Sequence, residues 1–161
     1  MRDMTSPIVH GQFTIERHYA ATPERVYAAW GDLGAKAQWF IGPPDTWRQT
    51  RRELDFRVGG LEVLEGKFGE SGRTSSYHAR FHILVPAERI VYDYDMWVND
   101  VFHSVSMSTV ELFPTPDGGT RLRYTEQVAF LDGTKDVAGR DKGNAIHLDR
   151  LAEYLARGQG N

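Results

Sequence analysis

Asn144-Ala145-Ile146-His147-Leu148-Asp149-Arg150-Leu151-Ala152-Glu153-Tyr154-Leu155 decides the fold of this chain. Leu148, Leu151 and Leu155 recur at three- and four-residue spacing, which puts them on one face of a helix, and that face must bury against something. At the other end, Phe13-Thr14-Ile15-Glu16-Arg17-His18-Tyr19 alternates as a strand does. Ala20-Ala21-Thr22-Pro23-Glu24-Arg25-Val26-Tyr27-Ala28-Ala29-Trp30 then passes into helical spacing. Thr22 is a good N-cap, Pro23 suits the first helical position, and Glu24 faces the positive end of the helix dipole. Val26, Ala29, Trp30 and Leu33 follow at inward spacing. Gly31 and Gly34 are expected to split the region into two short helices ending near Trp39-Phe40, before Gly42-Pro43-Pro44 stops it.

Between these brackets the sequence is mostly strand-like. Leu54, Phe56 and Val58 alternate with Glu53, Asp55 and Arg57, and Gly59-Gly60 permits a turn into Leu61-Glu62-Val63, which reads as a hairpin with one buried face. Gly66 to Ser76, rich in glycine and serine, reads as a flexible loop. Ser75, Tyr77, Ala79, Phe81 and Ile83 then share one strand face, and Ile90, Tyr92, Tyr94 and Met96 share the next. Val98-Asn99-Asp100 is a turn. The long strand Phe102 to Phe113 carries serines at 104, 106 and 108 that leave its buried face ambiguous. Leu122, Tyr124, Glu126, Val128 and Phe130 share the last strand face, with Glu126 the odd member. Asp132-Gly133 ends the sheet, Gly139 to Gly143 is an uncertain lead into the last helix, and Gly158 suits its stop. Hairpins in succession argue for an antiparallel sheet. A sheet curved around a long closing helix leaves a space between them, which is a ligand pocket wherever side chains do not fill it.

At 161 residues the chain is long enough, as one domain, to remove about 70% of its unfolded surface from water without staples. Residues 12–158 read as that domain and residues 1–11 as a mobile lead-in lacking the apolar stretch of a signal peptide. Cysteine is absent, which rules out disulfides, thiolate zinc sites and cysteine nucleophiles and fits a cytoplasmic protein. No apolar run approaches membrane-spanning length. The net charge of −3 argues against nucleic-acid binding. Arg48, Arg51 and Arg52 cluster beside Glu53 and Asp55, as a solvated strand start does more often than a phosphate site.

The segments Ala21 to Trp30, Trp39-Phe40-Ile41-Gly42-Pro43, Asp55-Phe56-Arg57-Val58-Gly59-Gly60, Val85-Pro86-Ala87-Glu88-Arg89-Ile90-Val91, Gly119-Thr120-Arg121-Leu122 and Leu148-Asp149-Arg150-Leu151 occur in one order. Together they resemble the START-like, or Bet v1-like, superfamily (SRPBCC), in the branch related to the activator of Hsp90 ATPase. The resemblance implies an α+β helix-grip fold: a curved antiparallel sheet of six to seven strands wrapped around a long C-terminal helix, with two short helices after the first strand. It also implies a cavity for small, mostly apolar molecules, and it names a chaperone as a partner by resemblance only. The superfamily spans binders, transporters, cyclases, hydrolases and interaction domains, so the fold alone does not choose among them. Many relatives carry a glycine-tryptophan pair at the start of the last helix, where this chain has Gly143-Asn144.

Trp30, Trp39, Phe40, Phe56, Tyr77, Phe81, Tyr92, Tyr94 and Tyr124 converge from helix and sheet and read as the lining of a pocket for an aromatic or apolar ligand, with core filling as the alternative. Leu148 and Leu151 would close it. A carboxyl buried beside Tyr124 makes Glu126 a candidate general acid or base, because burial disfavours its charged form. The alternative is a structural acid paired with an arginine, Arg57 or Arg80, where strand parity brings one inward. His147 lies near the helix seam and ranks second. His78 and His82 stand roughly 13 Å apart by strand rise, too far to share an ion, so no metal and no cofactor is expected. No nucleophile elbow occurs. The expected function is binding of a small apolar or aromatic molecule between the sheet and the C-terminal helix; the alternatives are a cyclase- or hydrolase-type enzyme using Glu126 and an interaction module like the Hsp90-activator domain with a filled interior. A homodimer is also left open.

Overall fold

The computed structural model describes residues 7–158. Seven strands, β1 (Val9–Tyr19), β2 (Trp47–Leu54), β3 (Leu61–Phe68), β4 (Thr74–Val85), β5 (Arg89–Val98), β6 (Val101–Pro114) and β7 (Thr120–Phe130), form one sheet in the order β1-β7-β6-β5-β4-β3-β2. Every neighbouring pair is antiparallel. Helices α1 (Pro23–Gly31) and α2 (Leu33–Trp39) connect β1 to β2, and α3 (Val137–Arg157) closes the chain. This is the helix-grip arrangement expected from the sequence.

Leu148, Leu151 and Leu155 of α3 are buried in the core with Val26 and Trp30 of α1 and with Ile90, Val110 and Leu122 of the sheet. Polar contacts pin the same half of α3: Tyr19 donates to the Leu148 carbonyl at 2.9 Å and Arg25 to the Leu155 carbonyl at 2.7 Å. Thr22 caps α1 as its sequence position demands, its hydroxyl accepting from the Arg25 amide. The tight β5–β6 turn places Asn99 and Asp100 at positive φ, the geometry that matches the twist of the flanking strands.

Several boundaries differ from the sequence reading. Residues 9–11, read as part of the lead-in, pair with β7 as the start of β1, while residues 1–6 lie outside the described residues. Leu33 is exposed, because Asp32 restarts the helix as a new N-cap, accepting from the Ala35 amide, and turns the face. β2 starts at Trp47, so Arg48, Arg51 and Arg52 lie within it. It ends at Leu54, and Asp55 to Gly60 folds into turns with Gly59 at positive φ; Val58 points to solvent while Phe56 packs on Tyr27 and Phe81. The glycine-serine loop shrinks to residues 69–73, since β3 reaches Phe68 and β4 begins at Thr74. In β4 a bulge between Phe81 and Ile83 swings Ile83 outward and brings Leu84 against the core. The parity of β6 resolves with Ser104, Ser106 and Ser108 inside, on the face of Val110 and Leu112. α3 starts at Val137, capped by Asp136, so Gly139 and Gly143 lie inside it.

Candidate functional site

A cavity of about 600 Å³ lies between the N-terminal half of α3 and the sheet. Its aromatic wall is Phe40, Trp47, Tyr77, Tyr92, Tyr94, Tyr124 and Phe130, with Leu64, Phe68, Met96 and Val98 adding aliphatic surface. The rings pack edge to face or tilted, Phe40 on Tyr77 at 4.9 Å and Tyr77 on Tyr94 at 4.8 Å between centroids. Gly139, Arg140, Gly143, Asn144 and His147 are the α3 residues that line it.

The polar end is built on Glu126, whose side chain is fully buried. Arg140 of α3 pairs with it at 3.2 Å. The carboxylate also accepts from Tyr94 at 2.7 Å, Ser106 at 2.8 Å, Asn144 at 3.2 Å and the Tyr124 hydroxyl. Arg140 in turn donates to Ser104 at 2.8 Å. The three inward serines of β6 are therefore explained: Ser104 and Ser106 meet the ion pair, and Ser108 shares a hydrogen bond with Tyr124. Burial, reinforced by the neighbouring Glu126 carboxylate, pushes the Tyr94 hydroxyl well above its usual range, so it remains a donor.

A second buried pair joins Lys36 of α2 to Glu62 of β3 at 2.6 Å, with Tyr77 donating to the same carboxylate oxygen at 3.4 Å. The ammonium sits 5.1 Å from the ring centroids of both Trp30 and Phe40. Burial lowers the Lys36 pKa, and Glu62 opposes that shift. The His147 ring packs on Phe40 at 5.0 Å. Burial, with the Arg150 charge adding to it, lowers its pKa to about 4 against the opposing pull of the nearby Trp39 backbone, so the imidazole is neutral at pH 7.

Of the residues singled out from sequence, Phe40, Tyr77, Tyr92, Tyr94, Tyr124 and His147 line the cavity. Trp30, Trp39 and Leu148 instead border a small adjoining void, and Phe56, Phe81 and Leu151 pack in the core. Glu126 lies behind the lining, reached through Tyr94, Tyr124, Arg140 and Asn144. Its partner is neither Arg57, which pairs with Asp55 on the surface, nor Arg80, which is exposed. Strand parity was the wrong place to look, because the cation comes from the helix above. Arg140, Lys36 and Glu62 were missed. The available signal was Lys36 three residues before the inward Trp39 on one helix face, and Asn144 four residues after Arg140 on another.

His103 and Asp132 form a 2.7 Å pair that lines the cavity beside Phe130. His78 and His82 bond to Glu65 and Asp93, respectively. Among the described residues no group of three or more histidine, aspartate or glutamate side chains is placed to hold a metal ion. No described helix is long and apolar enough to cross a membrane.

Comparison with known proteins places this geometry. The family model for activator of Hsp90 ATPase homolog 1-like protein matches residues 20–156. Among solved structures, a protein of Rhizobium leguminosarum is 38% identical, covering 94% of this chain and 97% of its own, with a TM-score of 0.87. A protein of Rhizobium loti is 39% identical over 92% of this chain and 99% of its own, with a TM-score of 0.84. The solution structure of an AHSA1-like protein from Aeromonas hydrophila, 21% identical over 92% of this chain and 94% of its own, shares the fold at a TM-score of 0.69. No curated protein matches the chain.

Proposed function

The chain belongs to the activator of Hsp90 ATPase homolog 1-like family, and from that premise we propose that it binds a small, neutral, apolar or aromatic molecule between the sheet and α3. The observation that carries the proposal is the cavity of about 600 Å³ walled by aromatic rings, within the size range of small-molecule sites. Neutrality follows from charge. Arg140 is matched by Glu126 and Lys36 by Glu62, so a charged ligand would enter with no buried counter-ion to offset its lost hydration.

An enzymatic use of Glu126 is less well supported. Five donors, from Tyr94, Ser106, Tyr124, Arg140 and Asn144, converge on it, and a carboxylate offers about four lone-pair sites. Little capacity remains to take a proton from a substrate. An interaction module with a filled interior fits less well still, since the interior holds the cavity.

Gly143 supplies the test. It lies inside α3 and lines the cavity, and a Cβ placed on it meets nothing within 4 Å. Gly143→Leu fills the space while replacing a poor helix former, so unfolding free energy should hold or rise by about 1 kcal/mol. Titration calorimetry with 2-methoxynaphthalene should show binding to the wild type and none to the variant. Equal binding by both proteins, or none by either, refutes the proposal.

A further inference from the structure

Among the described residues, two buried side-chain polar atoms lack a hydrogen-bond partner: Nε1 of Trp30 and Nδ1 of His147. Both residues border one void of about 20 Å³. Phe40, Tyr77, Tyr92, Tyr124, Asn144 and His147 line this void and the main cavity alike, so the void adjoins the cavity on its inner side. An unmade hydrogen bond at a buried atom costs about 1–3 kcal/mol, and here the two residues that carry such atoms border one void.

Their chemistry is complementary. Indole nitrogen can only donate. The imidazole is neutral at pH 7 and so carries one ring proton. In the tautomer with that proton on Nε2, Nδ1 is a bare acceptor. In that tautomer the void is bordered by one residue with an unused donor and one with an unused acceptor, with space for a single heavy atom, since a water-sized group needs roughly 10–15 Å³ by this measure.

We propose that the inner void is a hydroxyl-reading subsite: a phenol or alcohol oxygen accepts from Trp30 Nε1 and donates to His147 Nδ1 while the rest of the ligand fills the aromatic cavity. This inference rests on the small-molecule reading above and narrows its ligand to a hydroxyl-tipped one. Other groups fail on one side. A carbonyl, ether or carboxylate has no proton for His147, and an ammonium has no lone pair for Trp30. A carboxylate would also find Lys36, the nearby cation, already held by Glu62. A water molecule has the same two capacities as a hydroxyl. A ligand hydroxyl that displaces it reproduces its bonds, and an ether does not.

The test compares 2-naphthol with 2-methoxynaphthalene, which differ at the oxygen's proton, by calorimetry at pH 7. The wild type should favour the naphthol by about tenfold, the consequence of leaving the His147 acceptor unpaired. Trp30→Phe and His147→Phe, each checked for folding by circular dichroism, should each reduce that preference to about twofold or less. A measurement that needs no variant accompanies them: in ¹⁵N-resolved spectra the Trp30 indole N–H resonance should move with 2-naphthol and stay with the ether. Equal affinity of the wild type for both compounds, or a preference that survives both substitutions, overturns the subsite and leaves the cavity reading intact. Failure of both compounds to bind overturns both.

Discussion

The neutral imidazole of His147 makes stability depend on pH in a calculable way. In the unfolded chain its pKa lies near 6.5, and burial lowers it to about 4 in the folded protein. Above pH 6.5 the ring is neutral in both states and no penalty arises. As the pH falls below that value, the unfolded chain takes up a proton that the folded protein refuses. The stability contributed by the neutral ring is thus lost as pH falls toward the folded value. The full difference corresponds to about 3 kcal/mol, of which about 2 kcal/mol is lost between pH 7 and pH 5. The assay is urea unfolding from pH 8 to pH 4.5, comparing the wild type with His147→Phe, which keeps a ring against Phe40. Other titrating groups act equally in both proteins, so the difference between the two curves isolates His147. The variant should gain on the wild type by about 2 kcal/mol at pH 5 relative to pH 7. Parallel curves would show that the ring protonates freely in the folded state, and the donor and acceptor assignment of the inner void would fall with it.

Two further outcomes follow from packing. A Cβ on Gly66 would stand 2.0 Å from the Trp47 indole that covers it, so Gly66→Ala should destabilise by about 1–3 kcal/mol and alter the near-ultraviolet dichroism of tryptophan. Arg140→Met leaves the buried Glu126 carboxylate without its cation and should cost about 3–5 kcal/mol in urea unfolding, whereas adding Glu126→Leu should recover most of that loss. A double variant as unstable as the single one would show that the hydrogen-bond network, rather than the uncompensated charge, sets the cost.

The bracket was readable because each end obeys a local rule. Thr22 and Pro23 specify a helix start, and the leucine spacing of α3 survives whatever packs on it. Parity was equally readable along β5 and β7, where Tyr92, Tyr94, Leu122 and Tyr124 point inward. It failed where tertiary partners set the face. Glu62 is buried and its neighbour Leu61 is exposed, an inversion explained only by Lys36 reaching across from α2. Arg140 was invisible for a related reason: it lies between Gly139 and Gly143, residues that weaken helix propensity, so the first turns of α3 read as a loop. The serines of β6 looked ambiguous because a small polar side chain signals no face until its partner, the Glu126 and Arg140 pair, is known.

The division of α3 explains why the hollow survives. At 24 cal/mol per Å³, an empty apolar cavity of this size would cost on the order of 14 kcal/mol, comparable to the entire stability of a typical domain. The cavity cannot therefore be dry and sealed. The leucine half of α3 carries the packing that holds the helix to the sheet, and in the other half only Val137 and Ala145 pack against the core. Arg140 reaches down to Ser104, Ser106 and Glu126 instead, acting as a polar strut where a leucine would invite collapse. Arg73, Asp132, Asp136 and Asn144 add polar groups to the lining, and these give solvent the partners it needs to occupy the space. The apolar ligand proposed above would gain by displacing that solvent from the aromatic wall, while the strut and the carboxylate behind it keep their own bonds. In this arrangement the buried charges hold the cavity open, and on the proposed reading the rings around it would select what enters.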